Sequence, residues 1–134
     1  MKKKFSTKWK ASKQPRKQRN YLANAPLHLK RKFLSINLSK ELRKTHGKRS
    51  VPIRKGDTVK ITKGKFKGKQ GKVLEVRLKI QGIFVEGIQV TKQDKSKANV
   101  KLRPANLQIV ELNSSDEKRL NKKAKKGEKK QNAS

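Results

Sequence analysis

The stretch Arg54 to Val73, RKGDTVKITKGKFKGKQGKV, is where residue types and spacing are best suited to chemistry. Between Thr62 and Gly71 it interleaves four lysines (Lys63, Lys65, Lys67, Lys69) with three glycines (Gly64, Gly68, Gly71) around one aromatic, Phe66. Glycine lets the backbone approach a phosphate closely and exposes its N–H groups, while lysine supplies point charge. The chemistry implied is contact with phosphate groups. Gly71-Lys72 is followed by Val73, so the G-x-x-x-x-G-K-[ST] pattern of a nucleotide-binding loop is not met. Lys55-Gly56-Asp57 reads as the turn into a strand, with Asp57 serving that turn through an Asx-type hydrogen bond. Phe66 either stacks on a base or packs beneath a barrel rim.

A second group lies upstream. Lys13-Gln-Pro15-Arg16-Lys17-Gln-Arg19-Asn20-Tyr21 mixes guanidinium, ammonium, amide and aromatic groups. Arginine forks bind phosphate bidentately, Asn and Gln read base edges, and Tyr stacks on an unpaired base. Residues 1–25 lack hydrophobic periodicity and read as an extended basic arm; the bland alternative is a disordered solubilising tail. Trp9 and Tyr21 have little core to join there, which favours stacking on RNA.

Catalytic chemistry is absent from the inventory. His28 and His46 lie far apart, with no cysteine in the chain and no clustered acids beside them. No nucleophile, base and orienting group recur in a recognisable arrangement. Neither enzyme activity, a metal nor a cofactor is expected. Glu75 and Glu86 read as partners of strand lysines.

The elements that must position the basic groups follow from pattern. Residues 26–48 look helical. Asn24 is a candidate N-cap with Pro26 near the first turn, and Leu27, Leu29, Phe33, Leu34, Leu38 and Leu42 make an apolar stripe. Ser35-Ile-Asn37 breaks that pattern, so two short helices are expected, the second capped by Ser39 and ended by Gly47. Lys30, Arg31, Lys32, Arg43 and Lys44 fall largely off the stripe, on a face that is either solvated or turned to RNA. Residues 49–112 hold short apolar runs (Val59/Ile61, Val73–Val76, Ile83–Glu86, Ile88–Val90, Leu107–Val110) punctuated by glycine, which indicates a small β-barrel rather than a βαβ fold. Residues 113–134 form a basic tail, helical from about Asp116 to Lys126 when bound and disordered when free.

The chain has 134 residues, 40 Lys+Arg against 9 Asp+Glu, and a net charge of +31, so self-repulsion opposes compaction without a polyanionic partner. The charge is spread along the whole chain. Residues 1–20 hold nine basic groups, 27–50 eight, 54–79 ten, 92–103 five and 118–130 eight. A basic fold, not merely a basic tail, implies nucleic acid along its whole length and strongly salt-dependent binding. With 31% hydrophobic and 4% aromatic residues, only a small core is available. No run approaches the roughly 20 apolar residues of a spanning helix, and Phe5-Ser-Thr-Lys-Trp-Lys gives the basic start no apolar signal region. Neither a membrane nor a small-molecule substrate is implied; the expected location is the cytoplasm.

The Arg54–Val73 stretch closely resembles the KOW motif of SH3-like barrels in ribosomal proteins and transcription elongation factors. From about residue 13 to residue 112 the chain resembles the universal large-subunit ribosomal protein family called L-twenty-four in bacteria and L-twenty-six in eukaryotes. Three further segments carry the likeness: Lys13–Arg19 with Asn24–His28, Leu38–Arg43, and Arg49–Asp57. The arm and helices before the barrel resemble the archaeal and eukaryotic branch, and the compact Gly68–Val73 spacing the archaeal one. Arg103 and Ala105 depart from the family pattern of His and Ser around Pro104. The resemblance implies an SH3-like barrel that binds large-subunit rRNA near its 5′ region early in assembly, near the polypeptide exit tunnel, beside neighbouring ribosomal proteins. Its implied RNA contacts are Lys13, Arg16, Lys17, Arg19, Arg31, Lys32, Arg43, Arg49, Arg54 and the Lys63–Lys69 loop; residue chemistry adds Asn20, Tyr21, Lys55 and Phe66. A KOW-bearing transcription factor would need a further α/β domain, and a nucleoid or antimicrobial-type polycation would need no barrel.

Overall fold

Val59 and Ile61 point inward and Lys60 outward along β3 (Thr58–Ile61), the period-two pattern of a half-buried strand. The same alternation places Leu107 and Ile109 inside on β8 (Leu107–Glu111). In the computed structural model, which describes residues 5–9 and 11–120, these two strands are the centre of a six-stranded sheet. The other four are β1 (Ser35–Leu38), β2 (Ser50–Pro52), β4 (Gln70–Arg77) and β5 (Gly82–Val85), in the order β2-β1-β8-β3-β4-β5. Neighbours are antiparallel except β1 and β8, which run parallel. Inward side chains from all six strands, among them Ile36, Val51, Ile61, Val73, Ile83 and Ile109, join one buried cluster. A single cluster fed by every strand requires the sheet to curl around it, giving the small barrel-like domain expected. A separate hairpin, β6 (Gln89–Thr91) with β7 (Lys97–Asn99), carries exposed lysines, and Asp94 closes its turn by accepting from the Ser96 hydroxyl and N–H.

The two short helices before the barrel form as expected, though α2 (Leu27–Phe33) starts after Pro26 rather than at an Asn24 cap. Ser39 caps α3 (Lys40–His46) by accepting from the Leu42 N–H, and Gly47 ends it at φ 63°. The Ser35–Asn37 interruption is more than a break: it is β1, whose Ile36 and Leu38 are fully buried. A spacing of four from Leu34 to Leu38 to Leu42 imitates a helix, but pairing with both β2 and β8 satisfies the backbone here and decides for strand.

Two expectations for the flanks are corrected. Residues 15–24, read as extended, form α1 (Pro15–Asn24), with Pro15 at its first turn, where a missing N–H costs nothing. The helix buries no residue, so it leaves no hydrophobic period to read; its Lys, Arg, Gln, Leu and Ala content is what favours it. Nor does the tail leave the fold at residue 113. Leu120 packs against the core and Glu117–Arg119 form a single 3₁₀ turn on the barrel. Of the expected helix from Asp116 to Lys126, the part from residue 121 lies outside the described residues.

Candidate nucleic-acid interface

The Lys63–Lys69 loop joins β3 to β4 and its shape is set by backbone bonds. Gly68 N–H donates to the Ile61 carbonyl at 2.8 Å, Lys67 N–H to Gly64 at 3.2 Å, and Lys69 N–H to Phe66 at 3.1 Å. Gly56, Gly64 and Gly68 take positive φ (93°, 98°, 89°), which side-chain-bearing residues adopt at a cost. Gly71 does not; a Cβ there would stand 2.6 Å from the Glu86 carbonyl, so close strand approach demands it rather than a phosphate. All four loop lysines are exposed. Phe66 is half-buried against the core, with the Lys69 ammonium 5.2 Å and the Lys65 ammonium 6.0 Å from its ring centre. The ring is therefore a packing element of the rim that also draws two cations over itself.

At the other end of β3 lies a built junction. Asp57 is wholly buried, and its carboxylate accepts from the backbone N–H groups of Arg54 (3.0 Å) and Asn113 (2.8 Å). The Arg119 guanidinium closes on it through two bonds of 2.8 and 2.5 Å and also donates to the Pro52 carbonyl at 2.8 Å. Asp57 thus serves its turn by accepting from residue 54, three positions back, not in the Asx manner, and its main partner is a residue the sequence placed in a free tail. Arg54 donates to Asp116 at 2.7 Å, and Lys48 Nζ to the Arg119 carbonyl at 3.1 Å.

These contacts frame a concavity of about 380 Å³. Arg31 and Lys32 reach it from α2, Lys48 from the α3–β2 connection, Ser50 from β2, Arg54 from the β2–β3 turn, and Lys118 and Arg119 from the C-terminal strap. Asp116 is its one acid. Arg54 and the hydrogen bond from the Lys118 N–H hold the Asp116 carboxyl below the usual carboxylate range, so it stays ionised. Arg31, Lys32 and Arg54 are thereby brought together; Lys48, Lys118 and Arg119 were missed. The signal for Arg119 was faint: a lone Asp in a basic turn needs a cation, but the chain offers forty.

The remaining expected contacts are dispersed. Lys13, Arg16, Lys17, Arg19 and Asn20 are exposed on or beside α1, and Arg49 and Lys55 on loops. Arg43 is half-buried, its Nε enclosed without an acceptor among the described residues. Tyr21 lies among Phe5, Trp9 and Phe33 at ring-centre distances of 4.9, 5.2 and 5.8 Å, which fastens α1 to α2. Its ring and that of Trp9 are engaged with protein. Lys30 ties the same helices by donating to the Ala23 carbonyl.

Charge pairing is sparse. Among the described residues the ion pairs are Arg54–Asp116, Arg77–Glu75 and Arg119–Asp57, so most cations face outward without a carboxylate partner. Glu75 pairs with Arg77 and not with a lysine, and that hydrogen bond lowers the Glu75 pKa and raises that of Arg77. No cluster of three or more His, Asp or Glu suited to a metal occurs among the described residues, and no helix there is long and apolar enough to cross a membrane. The arrangement leaves exposed cations on several faces of the domain. A family model described as ribosomal proteins, L26 of eukaryotes and L24 of archaea, matches residues 12–126.

Proposed function

The chain belongs to this family of ribosomal proteins, structural and non-enzymatic components of the large subunit, and from that premise we propose that it holds directly to large-subunit rRNA. The binding region is the 5′ part of that RNA, engaged early in assembly, with the protein seated by the polypeptide exit tunnel beside neighbouring ribosomal proteins in the cytoplasm. The observation that carries the proposal is the concavity where Arg31, Lys32, Lys48, Arg54 and Lys118 converge around a single acid. The locked Lys63–Lys69 loop presents a second cationic surface at the opposite end of β3, and the exposed cations of α1 a third. A duplex or folded RNA carries phosphates at intervals that let several such surfaces bind at once, each contact releasing counterions.

The test is binding of the purified full chain to a transcript of the rRNA 5′ region, against unrelated RNA of equal length. With roughly 6–10 phosphates neutralised, affinity falls by about 10³–10⁵ between 50 and 200 mM salt. Equal binding to both RNAs, or a flat salt titration, removes the proposal. In native lysate the protein sediments with the large subunit and survives a high-salt wash; migration with RNA polymerase, the nucleoid or free protein counts against it.

A further inference from the structure

A second concavity, away from the cationic one, has a different chemistry. It is an open groove of about 470 Å³ formed where four parts of the chain meet. Leu22 comes from α1 and Phe33 from α2. Ile80 and Gln81 come from the β4–β5 turn, and Lys101 and Arg103 from the segment before β8. Leu22 and Ile80 are 39% and 45% exposed, two of five large apolar side chains open to solvent among the described residues, and these two share one groove. No acidic residue lines the groove.

Two local features show that the groove is held in shape. Gln81 adopts φ 52°, the left-handed turn conformation that Lys95 also takes (φ 66°) in the β6–β7 turn, and this fixes the course of the β4–β5 turn along the groove. Its side-chain amide has no hydrogen-bond partner among the described residues. Beside it, Gly82 is buried: a Cβ there would stand 3.0 Å from Lys101 Cγ and 3.3 Å from Ile80 Cδ1. The aliphatic stem of Lys101 is therefore laid over Gly82 next to Ile80. Phe33 is braced from behind by Tyr21 at 5.8 Å.

We propose that this groove receives one unstacked RNA nucleobase, its faces against Leu22, Phe33 and Ile80 and its flanking phosphates on Lys101 and Arg103. An apolar floor with a cationic rim and an unspent amide matches a nucleotide in each of its parts: π-face, backbone charge and base edge. An apolar side chain of another protein would use the floor but leave both cations and the amide unmatched. The inference rests on the rRNA-binding reading and adds to it a position at which a single base is captured.

The experiment has two arms. In native large subunits, brief ultraviolet irradiation followed by trypsin and mass spectrometry should find a nucleotide adduct on the Phe33–Lys40 peptide. In binding to the 5′-region transcript, Ile80→Ala should weaken affinity on the order of tenfold with an unchanged salt slope. Lys101→Gln should instead lower the slope by about 0.7–0.9. Leu74→Ala, at an exposed β4 position outside the groove, should change neither. Ile80→Ala binding like the parent, no adduct on that peptide, or a crosslink from it to a neighbouring protein would each overturn the base site while leaving rRNA binding standing. Loss of salt-dependent binding by the parent protein itself would instead overturn both readings.

Discussion

Replacing Arg119 by alanine tests whether the C-terminal strap is part of the folded domain. The Asp57 carboxylate is fully buried and the Arg119 side chain is 3% exposed. Removing the guanidinium takes away two hydrogen bonds to that carboxylate and one each to the Pro52 and Asn113 carbonyls. Two backbone donors, Arg54 and Asn113 N–H, would remain on a buried charge without a counter-ion. Breaking a buried pair in this way costs about 3–5 kcal/mol. In a domain of this size each kcal/mol moves Tm by about 4–8 °C, so a drop of at least about 12 °C is expected. Thermal unfolding by circular dichroism in moderate salt, without RNA, is the assay. The paired variant Asp57→Asn/Arg119→Met should recover part of the loss, because no charge is then stranded. Arg77→Ala, which removes an ion pair whose members are 56% and 51% exposed, is the internal control and should leave Tm nearly unchanged. A shift under about 2 °C for Arg119→Ala would show that residues 113–120 do not hold the barrel.

Replacing Lys63, Lys65, Lys67 and Lys69 together by Gln should weaken RNA binding and flatten its salt dependence with Tm nearly unchanged, since backbone bonds set the loop; a large Tm loss would make the lysines structural. Gly71→Ala should cost about 1–3 kcal/mol in urea unfolding, because the new methyl meets the Glu86 carbonyl and the buried Val85 side chain; an unchanged midpoint would refute the close approach. Asp116 has a lowered folded pKa, from Arg54 first and then from the Lys118 N–H. Its stabilisation is therefore complete above the unfolded carboxylate value of about 3.9 and is lost as pH falls through the lower folded value. NMR titration of the Asp116 carboxyl should give a midpoint below that value, and Arg54→Gln should raise it; a midpoint unmoved by Arg54→Gln would refute the pairing.

What was legible in the sequence was whatever repeats at short range. The alternation of Val59 and Ile61 with Lys60, the glycine punctuation and the Ser39 and Gly47 helix ends all appear where local pattern put them. β1 was hidden because Leu34, Leu38 and Leu42 fit a helical period as well as Ile36 and Leu38 fit a strand; only the partners β2 and β8, distant in sequence, separate the two. α1 was hidden for the opposite reason, since a helix that buries nothing writes no period. The concavity could not be read at all. It depends on Arg31, Arg54 and Arg119 meeting from segments 23 to 88 residues apart, and among forty basic residues no local feature marks the three that do. Tyr21 and Trp9 show the same limit: an aromatic in a polar stretch reads as available, until the fold brings Phe5 and Phe33 to it.

The few acids explain how so basic a chain folds with most of its charge left outward. Asp57 joins the β2–β3 turn, the end of β8 and the strap; Asp116 steadies the strap through Arg54; and Asp94 closes the β6–β7 turn. Each sits at a joint between elements, where a carboxylate organises backbone N–H groups as well as offsetting charge. None is spent on the Lys63–Lys69 loop, and α1 contains no acid. Acids distributed evenly over the surface would relieve more repulsion in the free protein, but they would also neutralise the cations proposed to meet phosphate. Placing them at joints keeps the barrel specified and leaves the outward charge free, as the proposed binding to RNA requires. By this logic a charge-reversed lysine on the loop or on α1 should raise the stability of the free protein slightly and weaken its hold on RNA.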